Sequence, residues 1–156
     1  TIIVAEDEIT EDNLLRITIS AADPNFKGYL DVYAHGSLIT HIFNNDQQTI
    51  AFDSVTGNIV IDIVIHYEVK ISNPPQVTVN PVSIITIMHN DDEDYDYVYI
   101  AKGGQFTFTF AVAEGYINEG TVYLNENELE EEMDGVYRAT INEISEITFI
   151  GFPPED

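Results

Sequence analysis

Five carboxylates crowd into six consecutive positions, as Asp91, Asp92, Glu93, Asp94 and Asp96. Hard oxygen donors at alternating positions are what a divalent cation such as calcium gathers. Asp91, Asp92, Asp94 and Asp96 are therefore the candidate metal ligands. A calcium loop opened at Asp92 fails at its sixth position, where Tyr97 replaces the required Gly, and at its twelfth, where Gly103 replaces a bidentate Glu. A solvated acidic loop is the favoured reading, with a calcium site as the alternative. Tyr95, Tyr97 and Tyr99 follow at alternate positions and so share one face of a strand. An aromatic face of this kind can bind a glycan or protein ligand. More commonly it is half-buried core with its hydroxyls at the rim.

Two further acidic groups are Glu6, Asp7, Glu8, Glu11 and Asp12, and Glu126, Glu128, Glu130, Glu131, Glu132 and Asp134. The first reads as an acidic turn, and the second as loop, because like charges alternating along one strand face repel. With 28 acids in the chain, some pair always lies at a distance suited to glycoside hydrolysis, so the count diagnoses nothing. His35, His41, His66 and His89 are scattered singly, without metal-binding spacing. No nucleophile elbow or phosphate-cradling glycine loop occurs, and Lys102-Gly103-Gly104 reads as a turn. The expectation is a protein that is not an enzyme and requires no cofactor.

The elements that position these residues are strands. Ile59, Ile61, Ile63, Ile65, Tyr67, Val69 and Ile71 alternate with Val60, Asp62, Val64, His66, Glu68 and Lys70. That period of two predicts one long strand with an apolar face. Pro74 and Pro75 cannot donate to a ladder and read as a stiff joint, after which Val77, Val79, Ile84, Ile85 and Ile87 open a second apolar series. Before the long strand, the sequence predicts strands at 1–4, 15–20, 29–33, 38–43 and 49–53. Turns separate them at Asp23-Pro24-Asn25, His35-Gly36-Ser37, Asn44-Asn45-Asp46 and Thr56-Gly57-Asn58. No stretch sustains a helical period, so the class is all-β.

The second half repeats the first. Ile17-Thr18-Ile19-Ser20 corresponds to Phe106-Thr107-Phe108-Thr109, and Lys27-Gly28-Tyr29 to Glu114-Gly115-Tyr116. The stretch from Leu30 corresponds to that from Gly120, Thr49–Phe52 to Val136–Ala139, and Gly57–Ile61 to Ser145–Phe149. The offsets are 89, 87, 90, 87 and 88 residues. Two copies of one β-unit follow, over residues 1–73 and 74–156. The second copy carries a Gly115-Tyr116 turn, Val122-Tyr123-Leu124-Asn125, Asp134-Gly135-Val136-Tyr137 and a closing Ile144-Ser145-Glu146-Ile147. It resembles the small immunoglobulin-like repeat modules of bacterial surface proteins. The resemblance implies two tandem immunoglobulin-like antiparallel β-sandwich domains acting as spacer, stalk or ligand-presenting modules. The first copy departs from the pattern at Gly36-Ser37, where its hairpin is shorter.

Charge narrows the partners. The chain carries a formal −23, with 11 acids against 3 bases in residues 1–73 and 17 against 2 in 74–156. Such a polyanion is repelled by nucleic-acid phosphates and anionic membranes, so neither is expected as a partner. No stretch approaches the roughly 18 apolar residues that span a bilayer, so no membrane insertion is expected. There are no cysteines and hence no disulfide framework. The chain begins at Thr1 without a Met, which reads as a processed form or an excised fragment. The expectation is an extracellular or cell-surface adhesion, display or spacer module with a protein or glycan ligand. The alternative is a structural subunit of a filament or phage virion, self-assembling through edge strands, the N-terminal strand above all.

Overall fold

A computed structural model describes residues 3–9, 15–52 and 59–156, and among these the protein is all-β with no helix. No helix among them is therefore long and apolar enough to cross a membrane. The chain divides into two compact units, Thr1–His66 and Tyr67–Asp156. The division falls inside the long strand that the period of two predicts. The turn expected at Thr56-Gly57-Asn58 lies outside the described residues, as do Thr1, Ile2, Glu11 and Asp12.

Unit one contains β1 (Ile3–Ile9), β2 (Leu15–Ala21), β3 (Gly28–Ala34), β4 (Ser37–Phe43), β5 (Gln47–Phe52) and the first half of β6 (Ile61–Ser72). β1, β2 and β5 form one open antiparallel sheet in that order, and β4, β3 and β6 follow one another in a second. The backbone of β1 runs through Glu6, Asp7 and Glu8, which pair with Thr18, Ile17 and Arg16. The acidic turn expected there is thus strand: ladder hydrogen bonds come from the main chain and do not depend on side-chain type. Alternation decides burial in β3. Leu30, Val32 and Ala34 are buried, while Tyr29 and Tyr33 on the other face are half-buried. Leu15, Ile19, Phe26, Ile42 and Ile50 complete a core that is aliphatic apart from Phe26. Each side chain so removed from water contributes on the order of 1.5–3 kcal/mol. The β3–β4 hairpin turns through His35 and Gly36 at φ 49° and 80°, the doubly positive conformation that twists with the strands. A Cβ on Gly28 would run into the carbonyl oxygen of His66, so the close approach of β3 to β6 requires glycine there.

Unit two contains the rest of β6, then β7 (Val77–Pro81), β8 (Met88–Asn90), β9 (Tyr95–Ala101), β10 (Gln105–Val112), β11 (Thr121–Leu124), β12 (Asn127–Leu129), β13 (Glu131–Met133), β14 (Val136–Thr140) and β15 (Ser145–Ile150). One sheet runs β13-β14-β10-β7, and β12, β11 and β15 follow one another in another. β15 also pairs parallel with the end of β6, Ile147 against Ile71. β8 and β9 form a hairpin, and β9 also pairs with β6. The core contains an aromatic cluster: Phe106 and Phe108 are fully buried and stack 5.1 Å apart, and Phe108 also lies against Tyr137 and Phe149.

The acidic segment from Glu126 to Asp134, expected as loop, contains the short strands β12 and β13. Glu128, Glu131 and Glu132 are exposed, so water solvates their charge while the main chain pairs. Asp134 and Gly135, at φ 48° and 79°, close the β13–β14 turn. Residues 82–87 of the second apolar series lie outside the strands, and Ile84 is fully exposed.

The two units share a strand plan. β2 lies between β1 and β5 as β10 lies between β7 and β14, and β3 lies between β4 and β6 as β11 lies between β12 and β15. Register tightens the equivalence. Ile17 faces Ile50 and Phe106 faces Ala139, a constant offset of 89 on both strands. At the hairpin turn, the His35 N–H donates to the Val60 carbonyl and the Asn125 N–H to that of Glu146.

Candidate functional site

The β8–β9 hairpin carries the acidic cluster. Asn90 starts the turn: its Oδ1 accepts the N–H groups of Asp92 and Glu93, both at 3.0 Å. Asp94 completes it at φ 54°, a left-handed conformation that Asp tolerates better than most residues. The resulting register sets His89 opposite Asp96. His89 Nδ1 donates to Asp96 at 2.8 Å, and its Nε2 lies 3.3 Å from Asp94 and 3.7 Å from Asp91. Three of the four candidate calcium ligands therefore converge on an imidazole, while Asp92 contributes its N–H to the turn. The hydrogen bond to Asp96 is the main cause holding the His89 pKa above its ordinary value. Burial opposes the shift, and the charges of Asp96, Asp91 and Asp94 reinforce it. Among the described residues, no three His, Asp or Glu side chains form a group that could hold a metal ion.

A cleft of about 350 Å³ opens beside this hairpin, lined by Lys70, Ser72, His89, Glu93, Tyr95 and Asp96. Its wall is built from β6. The Tyr95 hydroxyl lies 3.0 Å from both carboxylate oxygens of Glu68, which is 8% exposed. Lys70 Nζ sits 5.1 Å from the centre of the Tyr95 ring, a cation–π geometry. Tyr95, Tyr97 and Tyr99 do share a face, with ring centres 5.8 and 5.2 Å apart. All three are half-buried. Burial is the main cause that raises the Tyr99 pKa, followed by its hydrogen bond with Tyr97. Tyr99 is therefore neutral across the physiological range.

Unit one holds a cluster that sequence reasoning missed. Asp31 projects from the middle of β3, on the face opposite Leu30 and Val32, yet is only 8% exposed. His41 on β4 hydrogen-bonds its Oδ1 through Nδ1, and His66 Nε2 lies 3.0 Å from its Oδ2. An ionised carboxylate only accepts, so the facing nitrogen of each imidazole carries the hydrogen. Tyr29 stacks on His66 at 4.2 Å and 10° and meets His41 edge-on at 5.8 Å. Burial, then the charge of Asp31, raises the Tyr29 pKa. The cluster ties three neighbouring strands together across one face. The available signal was the hairpin: pairing outward from the His35-Gly36 turn brings Asp31 opposite His41, once the one-residue bulge in β4 is allowed for.

Neither cluster presents a nucleophile aligned on a base; each satisfies its carboxylates with neighbouring side chains. No family model, curated protein or solved structure matches this chain.

Proposed function

We propose that the chain is a non-enzymatic module of a bacterial surface protein, two tandem immunoglobulin-like antiparallel β-sandwiches that serve in adhesion, display or spacing. The observation that supports this reading is the shared strand plan, with β1-β2-β5 mirrored by β7-β10-β14 and β4-β3-β6 by β12-β11-β15. The carboxylates engaged by histidine and tyrosine fit a scaffold better than a catalytic centre. The module works without a cofactor, and its ligand is a protein or a glycan. Labelling intact source cells with an antibody to the chain tests the reading. Signal without permeabilisation is expected; signal only after permeabilisation contradicts it.

A second reading, a structural subunit of a filament or virion, draws on β1. This outer strand pairs along all seven of its residues with β2. Such a strand can leave its own sheet to complete a neighbour's.

A further inference from the structure

Equivalent edge strands of the two units are built in opposite ways. β12 ends the strand order in unit two. It has three residues, and Glu126, Glu128 and Glu130 alternate along it and its flanks. Short length and carboxylates are the usual defences of an edge against pairing with another chain. β4 holds the same place in unit one. It has seven residues and no charge, within a run from Val32 to Asn45 that contains no Asp, Glu, Lys or Arg. It exposes Leu38 at 48% and Ile39 at 45%, in a protein of formal charge −23. Its one defence is a bulge at Ile39, where the register with β3 shifts between Val32–Thr40 and Tyr33–Leu38. The other outer strands differ: β5 exposes Gln47, Gln48 and Thr49, β13 carries Glu131 and Glu132, and β7 ends in Pro81.

We propose that β4 is a docking edge and that its occupant is β4 of a second copy, paired antiparallel about a two-fold axis at Ile39. Strand addition brings two backbones within about 5 Å, so two polyanions can meet only where neither carries carboxylates. Among the described outer strands, β4 alone is long, uncharged and apolar at its surface. The same edge on another copy matches it in length, neutrality and apolar character, and a two-fold axis buries Leu38 and Ile39 of both chains at once. This inference goes beyond the display role and needs only the sheet edge of unit one.

Sedimentation equilibrium of the full chain tests it. A concentration-dependent dimer is expected, and it tightens with added salt as carboxylate repulsion between the copies is screened. Ile39→Glu and Ile39→Lys should each weaken the dimer by at least about tenfold, because like charges then oppose each other across the axis. Ile39 is exposed, so both variants should retain the wild-type circular dichroism spectrum. Mixing the two variants should restore dimer, since Glu then faces Lys. A chain that stays monomeric at every concentration overturns the proposal. So does a dimer that both variants leave intact, or a mixture that stays monomeric.

Discussion

Ile19 and Phe108 occupy equivalent places in the central strands of equivalent sheets, and both are fully buried. The core of unit one is mainly aliphatic, with Leu30, Val32, Ile42 and Ile50, whereas Phe108 packs in an aromatic cluster with Phe106, Tyr137 and Phe149. The outer faces differ in the same measured way. Unit one buries Asp31 between His41 and His66 at a position whose repeat counterpart is Thr121, whereas unit two holds Glu68 against Tyr95 and gathers three aspartates around His89. One strand plan therefore tolerates two chemistries. The main-chain ladder fixes the plan, and the side chains on each face have only to fill volume and satisfy their own polar atoms.

The sharpest way to break this comparison is at Asp31. Asp31→Ala leaves two imidazoles without their acceptor and should cost about 2–3 kcal/mol in denaturant unfolding. The counterpart Thr121→Ala should stay within about 0.5 kcal/mol. Equal costs would mean that the histidine–aspartate cluster contributes nothing particular to unit one.

The smaller effect belongs to unit two and depends on pH. His89 has a folded pKa raised above its ordinary 6.5. Its contribution is therefore complete below that unfolded value and is lost as pH rises through the raised folded one. In an NMR titration the His89 ring should titrate above 6.5, and Asp96→Asn should bring the midpoint back towards it. A midpoint unmoved by Asp96→Asn would sink the assignment of this shift to the hairpin hydrogen bond.

Much of the fold is legible in residue spacing, because alternation and turn chemistry act locally. The period of two over residues 59–71 marks β6, and the turns at His35-Gly36 and Asp134-Gly135 lie where their residue types demand positive φ. Strand assignments failed where charge was taken to exclude strand, as at Glu6–Glu8 and Glu126–Asp134. At Glu126–Asp134 the acids of β12 and β13 are exposed while the main chain pairs, and at Glu6–Glu8 the main-chain ladder forms whatever the side-chain type. The clusters were hidden for another reason. Asp31 and His66 are 35 residues apart, and only register unites them. His89 and Asp96 lie seven apart, and the acidic cluster drew attention to metal rather than to the histidine opposite it. The repeat offset of 87 for β5 and β14 becomes 89 once paired partners are known, since alternation alone leaves a two-residue slip undetected.

Two units of one plan, each with its own core, should come apart as two. Stretching the full chain in a single-molecule force experiment measures this most directly. The expected record has two unfolding events. Their length gains should approach those of 66 and 90 residues, about 240 and 320 Å at roughly 3.6 Å per extended residue. A single event that releases the whole chain at once would contradict the division into two units.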